Sequence, residues 1–443
     1  MSVSIRKPAR WVVISALTAL AAACAAGPQT PPQTSPGPSD PSKSPSQVDP
    51  LAPYAPSGNA SMDAWRTSFA ARASANGRNA AAIRAVLEDI TPLDIYLSTT
   101  VTTQSAVAEQ AEFAKPIWEY LRTAVSESRR VNGAELLAGS PDMWSGLETR
   151  YGVDREAVAA IWGMETNYGS YIGTFDAANT LANMAVEGRR RTFAENELLA
   201  LMKILERGEA VRSDFVSGWA GAMGQTQFMP TTYLTHAEDF DGDGRKDIWG
   251  NTGDALASAA HYMSMSGYEF GEPWGLEVTL PENFDYSLAD GNERRVQSWQ
   301  AQGVTIVDST RGAEINDGKY AELWIPAGYR GPKFLLFKNF NVFKTYNRAD
   351  SYALAVGMLS DAVAGRPGLS TPWPTDLQPL SVAQVKQLQS ALNDMGFDAG
   401  PVDGIAGRGT KGALRRFQAD RGFIADGFPT TEMLAYVLSA ASN

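Results

Sequence analysis

One cysteine, Cys24, stands in 443 residues. An internal disulfide is therefore excluded, and the core must hold the fold unaided. Positive charge is also short: 38 Lys and Arg face 49 Asp and Glu, a net charge of −11. That balance excludes nucleic acid as a partner, because without a local cluster no basic face offsets phosphate repulsion. The densest basic run, Arg189-Arg190-Arg191, reads as a solvated helix end. Long apolar runs are missing as well: Trp11 to Ala23 falls short of the roughly 20 residues that cross a bilayer. What remains is an ordinary core-forming composition, 44% hydrophobic and 10% aromatic, in a chain long enough for two or three domains.

The first 24 residues carry an export pattern. Arg6, Lys7 and Arg10 precede or open the apolar stretch, and Ala21-Ala22-Ala23-Cys24 closes it. Small residues before a cysteine resemble a bacterial lipobox, which implies loss of residues 1–23, lipidation of Cys24 and a periplasm-facing protein on a membrane anchor. Ala25 in place of Asp after the cysteine leans toward the outer membrane. An ordinary signal peptide is the alternative. Residues 24–60 read as a tether: 10 of the 25 prolines lie between 25 and 60, among Ser, Thr and Gln. Such a segment cannot bury enough surface to fold.

From Ser61, read as an N-cap, the pattern turns helical, with Trp65, Phe69, Ile83, Val86 and Leu87 at helix-like intervals. Helical patterning continues through Gln110 to Val131, the segment around residue 165, Arg191 to Gly208 and Asp254 to Gly267. Short β-prone runs at Leu276 to Leu280, Leu323 to Pro326 and Phe334 to Phe343 predict a small strand-bearing subdomain before a closing helix, Arg348 to Ala364. The fold class expected is mainly α, as an α+β chain: one large unit over 61–365, a Pro-rich linker over 366–380 and a compact unit over 381–443. In the last, Val382 to Met395 is amphipathic and Gly396 can end it. Val402-Asp-Gly-Ile405 with Thr410 and Leu414 is echoed by Ala425-Asp-Gly-Phe428 with Thr430 and Leu434, each a turn leading into a helix, so three short helices are expected.

Four constellations carry chemistry. In Val158-Ala-Ala-Ile-Trp-Gly-Met-Glu165, positions 158, 161, 162 and 165 share one helical stripe, three apolar and one acidic. Burial against that stripe and the negative helix end before Gly169 both disfavour the charged carboxylate, which suits a general acid. A salt-bridged structural acid is the alternative. The second constellation, Trp219-Ala-Gly-Ala-Met-Gly-Gln-Thr-Gln-Phe-Met-Pro230, alternates small residues with amides suited to sugar hydroxyls, or is a tight packing motif. The third, Asp239-Phe-Asp-Gly-Asp-Gly-Arg-Lys-Asp-Ile-Trp249, opens like a calcium loop with Gly244 at its sixth position. It has Gly250 where the bidentate Glu is usual, and Asp254 could close it. The fourth is a scatter of aromatics with polar tips, Tyr120, Tyr168, Tyr262 and Tyr346, joined by Trp118, Trp162 and Trp219, which either line a saccharide groove or fill core.

These residues resemble the bacterial membrane-bound lytic murein transglycosylase B family, over roughly 61–365, followed by a peptidoglycan-binding domain of the three-helix type over 381–440. Met164-Glu-Thr-Asn-Tyr-Gly169 looks like the family's catalytic motif, and Ala220 to Pro230 looks like its substrate-groove segment. The resemblance implies a lysozyme-like helical catalytic domain with Glu165 as the catalytic acid/base and Tyr120, Gln227, Tyr262, Tyr346 and Asn347 in the glycan groove. It also implies a structural Ca2+ held by Asp239, Asp241, Asp243, Arg245 and Asp254, the family's site likewise using a later Asp. In the C-terminal unit, Asp403-Gly404, Thr410 and Phe417-Gln418 look like the peptidoglycan-binding pattern. One departure stands out: Gly218 precedes Trp219 where many members have Ser, so Ser217 or a water would have to replace that hydroxyl.

The activity implied is non-hydrolytic cleavage of the bond between N-acetylmuramic acid and N-acetylglucosamine, leaving 1,6-anhydro ends, with no cofactor for the chemistry. Glu165 would serve both proton transfers, since the acids nearest the groove segment are committed to the calcium loop and a second free carboxylate is wanting. The expected partners are peptidoglycan glycan strands and, through the lipid anchor, a membrane; the expected oligomeric state is a monomer. A hydrolytic muramidase, or a wall-binding lipoprotein without activity, are the alternatives.

Overall fold

The computed structural model describes residues 53–97, 116–315 and 318–442. Cys24, the signal segment and most of the tether lie outside the described residues. The first helix, Ala60–Ala75, starts one residue before Ser61 because the Asn59 side chain accepts from Met62 N at 3.0 Å. Asn59 is therefore the cap, and Ser61 is already helical. Trp65, Phe69, Ile83, Val86 and Leu87 are all buried, as their spacing predicts. Beyond residue 115, one expected helix is two, Ile117–Ala124 and Glu127–Gly139, with Ser126 capping the second through Arg129 N.

Two apolar cores meet at the middle of the large unit. One gathers Tyr120, Trp144, the helix Arg155–Thr166 and the helix Asp350–Val363. The other gathers Trp65, Leu181, Leu198, Met223, Phe228 and Tyr233. Tyr346 packs against both, so the seam between the cores runs past it. Arg191 donates to Ala185 O and Arg189 pairs with Glu187, which keeps the basic run at a helix end as read.

The strand-bearing subdomain is a five-stranded antiparallel sheet with its own core of Leu276, Trp299, Leu323 and Phe337. Two short strands earlier in the chain, β1 (Phe175–Asp176) and β2 (Val216–Ser217), pair with each other; the sheet's own strands are β3 (Gly275–Thr279), β4 (Glu293–Arg295), β5 (Thr305–Ile306), β6 (Tyr320–Trp324) and β7 (Lys333–Leu336), in the order β4-β6-β7-β3-β5. The 334–343 run is strand only to Leu336 and then helix, Lys338–Phe343. Buried Asn339 explains the change: its amide spans Glu269 O and Glu272 O at 2.8 Å each, a local bonding pattern that no strand ladder supplies.

Past residue 365 the chain is anchored along its length. Trp373 packs on Trp118, and Arg330 grips Asp376. Three helices follow, Val382–Asp394, Arg408–Asp420 and Thr431–Ala441, around Leu388, Leu414, Phe417 and Val437. The two echoed turns share one clamp. Gln389 holds Asp403 and Gly404 as Gln418 holds Asp426 and Gly427, each amide donating to the Asp and accepting from the Gly N–H. Asp403, Gly404, Thr410 and Gln418 thus lock turns from inside.

Candidate active site

Glu165 lies in the last turn of Arg155–Thr166, half-buried above fully buried Val158 and Ile161. The helix ends at Thr166, three residues before the glycine expected to stop it. Asn167, Tyr168 and Gly169 take left-handed φ values of 49°, 61° and 74°, and the two non-glycines cost on the order of 1–3 kcal/mol each. Several contacts hold that conformation. Thr166 Oγ1 donates to Gln225 O at 2.6 Å and accepts from Gly169 N at 3.0 Å, and the Tyr168 hydroxyl donates to Arg129 O at 2.8 Å. A Cβ at Gly163 would stand 2.7 Å from Tyr168 Cζ, so the ring occupies the space that glycine leaves. Tyr168 is a brace behind Glu165, the core reading of that aromatic.

Tyr352, which spacing did not single out, donates its hydroxyl to Glu165 Oε1. Burial pushes this phenol well above its usual pKa and the Glu165 charge adds to it, so Tyr352 stays a donor across the working pH range. The signal was present in Asp350-Ser-Tyr352, yet a tyrosine in an apolar helix reads as core until its neighbour is known. Tyr120, buried one helix away, acts on the same phenol. Tyr346 is likewise raised by burial and then by Glu165, and its buried hydroxyl has no hydrogen-bond partner among the described residues. Its ring lies 5.2 Å from Tyr262 and 6.2 Å from Phe228, while the Tyr262 hydroxyl donates to Thr345 O at 3.1 Å. Tyr262 also packs 4.8 Å from His236, whose imidazole burial keeps below its usual pKa.

The two amides are more committed than the aromatics. Gln227 takes φ 51° and donates to Ile172 O at 3.3 Å and Gly224 O at 3.0 Å. Asn347 Oδ1 accepts from Ala349 N at 3.0 Å beside Tyr346. The Gly218 departure has a local cause: a Cβ there would lie 2.8 Å from Gln227 Oε1. Ser217 does not take over, for its hydroxyl is buried and points to Phe175 O and Gly218 O.

In the acidic loop, one carboxylate oxygen each of Asp239, Asp241 and Asp254 lies within 4.8 Å of the others. Asp243 instead accepts from Arg245 N at 2.8 Å in an exposed stretch. Asp254 is fully buried and both its oxygens accept backbone N–H groups, Oδ1 from Phe240 at 2.8 Å and Oδ2 from Asp247 at 2.9 Å. Burial nonetheless raises its pKa, with Asp241 and Asp239 contributing repulsion. A cluster of hard oxygens that repel one another fits a divalent cation such as Ca2+. The loop is tied to the end of the Glu165 helix at Thr166: Gln225 N donates to Ile248 O and its amide to Trp249 O, while Gln225 O receives Thr166 Oγ1.

Among the described residues, no helix is long and apolar enough to cross a membrane. Residues 61–361 match the family described as Transglycosylase SLT domain, and 381–436 match the Putative peptidoglycan binding domain. SltB3 from Pseudomonas aeruginosa, solved in complex with NAG-anhNAM-pentapeptide, shares 42% identity over 86% of this chain and 100% of that one, with a TM-score of 0.79. Membrane-bound lytic murein transglycosylase B of Escherichia coli (strain K12) is 28% identical over 216 residues, 48% of this chain. The matched segment spans 58% of that relative's length. The Escherichia coli lytic transglycosylase SLT35, solved in complex with calcium, shares the fold at 23% identity over 69% of this chain and 93% of that one, TM-score 0.56. The mainly helical, lysozyme-like architecture with a small sheet and C-terminal helices is the one these neighbours have.

Proposed function

The chain belongs to the Transglycosylase SLT domain family, and from that premise we propose that it is a lytic transglycosylase of peptidoglycan in which Glu165 alone serves as acid and base. The observation that carries the reading is the helix-end carboxyl held by a buried phenol, with the unpartnered Tyr346 hydroxyl beside it. In the neutral acid, Oε1 accepts from Tyr352 and the proton belongs on Oε2, the arrangement for protonating the glycosidic oxygen between N-acetylmuramic acid and N-acetylglucosamine. The substrate's acetamido group assists departure. Ionised Glu165 then takes the proton from the C6 hydroxyl, whose oxygen closes the 1,6-anhydro ring with no water consumed. A tethered hydroxyl has a high effective concentration, which is how one carboxylate suffices where ordinary glycosidases use two. Tyr120, Tyr262 and Tyr346 back the groove that takes the sugars, with Gln227 and Asn347 shaping its wall.

A Ca2+ at Asp239, Asp241 and Asp254, with Asp243 and the Arg245 carbonyl as further oxygens, would neutralise the loop's repulsion and stiffen the path through Gln225 to Thr166. Cys24 serves as the lipid attachment point, tethering the enzyme by residues 24–60 to the outer membrane. A globomycin block or the mass of the N-terminal peptide tests that anchor. The chemistry is tested by digesting purified sacculi: 1,6-anhydro muropeptides are expected, and products with only reducing ends would instead mean a hydrolytic muramidase.

A further inference from the structure

The chain has two histidines, and their rings meet. His236 closes the helix Pro230–His236 and His261 stands on Thr252–Met265, with ring centroids 5.4 Å apart, edge to face. On its other side His236 packs against Tyr262, the residue next to His261. Three rings surround Tyr262: His236 at 4.8 Å, Tyr346 at 5.2 Å and Phe228 at 5.8 Å. Its hydroxyl adds one hydrogen bond, to Thr345 O. Phe228 has nothing to ionise, and burial holds the Tyr346 phenol well above its usual range. Of these three rings, His236 alone can change charge near neutral pH.

The surroundings favour the neutral ring. His236 Nδ1 is buried and has no hydrogen-bond partner among the described residues. A neutral imidazole can leave that nitrogen bare by carrying its proton on Nε2, whereas the imidazolium must donate from both nitrogens. A buried donor that nothing accepts is costly. The groups facing His236 supply no counterion. His261 Nδ1 lies 3.1 Å from His236 O and 3.4 Å from Glu238 Oε1, and Glu238 is itself held by Arg150 and the Tyr151 hydroxyl at 2.9 Å each. From the helix Arg191–Glu206, Glu197 is turned onto Thr231 N and Oγ1 at the far end of the His236 helix. Tyr233, on that same helix, turns its hydroxyl to Lys246 O at 2.9 Å. Burial, and after it the charge of His261, lowers the His236 pKa.

We propose that His236 is a positioning residue for Tyr262, holding that ring at the back of the glycan groove while the imidazole is neutral and releasing it when acid charges the imidazole. The inference rests on the reading of Tyr262 as a groove residue given above. A second proton on His236 would place a donor at buried Nδ1, beside His261. The imidazole must turn to wet it, and Tyr262 then loses the nearest of its three rings. Glu165 keeps its bond to Tyr352, which is made by other helices. Acid therefore weakens the hold on the sugars and leaves the proton donor in place.

The test follows KM and kcat of the full-length protein on soluble, peptide-free glycan strands from about pH 8 to about pH 5, the range in which imidazoles titrate. Ca2+ is kept in excess so that the acidic loop does not vary. Wild-type KM should rise about three- to tenfold toward acid, the scale of one aromatic contact. His236→Phe should abolish that rise while kcat keeps the pH dependence of wild type. His261→Gln, which removes the neighbouring charge, should move the rise to higher pH. A wild-type KM that stays flat overturns the proposal, as does a rise that survives in His236→Phe. A KM that falls in acid overturns it too, since the imidazolium would then grip Tyr262 as a cation on its ring. Ring resonances of wild type give a readout without substrate: those of Tyr262 should shift over the same pH range as those of His236, and their indifference overturns the proposal whatever the products are. Failure of wild type to give anhydro products would count against the transglycosylase reading alone.

Discussion

Glu165 and Asp254 are both carboxylates at a helix end, and they occupy opposite ends of the dipole. Asp254, in the first turn of Thr252–Met265, is fully buried with a backbone N–H on each oxygen. Glu165, in the last turn of Arg155–Thr166, is half-buried and receives the Tyr352 phenol on Oε1. Two fixed backbone donors make Asp254 an acceptor in either state of the loop, suited to bracing and to a cation. Glu165 meets one side-chain phenol at the negative end of its helix, the setting on which the proposed acid and base role rests. The difference lies in the donors and in the helix end, since the functional group is the same.

Replacing Glu165 with Gln breaks the comparison most severely. Turnover of sacculi should fall by about 10³-fold or more, both proton transfers being lost, with sacculus pelleting unchanged. Retained turnover would move the chemistry elsewhere. Asp254→Asn comes next. Because both Asp254 oxygens accept N–H groups, an amide must turn its NH2 toward a donor, and about 1–3 kcal/mol of stability should go. The melting midpoint of wild type should drop by several degrees on chelation and recover with Ca2+, on the order of 2–4 °C per kcal/mol. Asp254→Asn should show no such response; a wild type indifferent to chelation would remove the metal from the reading.

Tyr352→Phe should lower kcat about 10- to 100-fold, the scale of one hydrogen bond to a charged group, with KM nearly unchanged. An effect on KM alone would make Tyr352 part of the groove. Glu269 gives the exposed benchmark for both acids. Lys319 and Lys338 hold its carboxyl down to about 2. The folded-state pKa is therefore below the unfolded one, so its stabilisation is present above the ordinary carboxylate range and is lost as pH falls toward 2. Glu269→Gln should cost under about 1 kcal/mol at neutral pH, as exposed pairs do, and flatten that limb of the acid-denaturation curve. A larger loss would show the Lys319 cluster to be a structural hinge.

Much of this was legible in the chain. The Glu165 stripe, the small-residue and amide segment, the oxygen-rich loop and the three C-terminal helices each follow from local periodicity or turn chemistry, which short windows carry. Tyr352 was not legible, because a tyrosine in an apolar helix declares its partner only when another helix, 187 residues away, packs against it. Gly218 read as a missing hydroxyl until Gln227 was seen to need the space. Phe334–Phe343 read as strand throughout because the bonds of Asn339 are made to a distant loop.

The sequence by itself determined the helical units and set Glu165 on an apolar helical stripe, since covalent spacing sets which side chains share a face. Which donors each carboxylate meets was decided by tertiary structure. Backbone donors on Asp254 and a phenol on Glu165 arrive from segments far along the chain, and only folding brings them within reach.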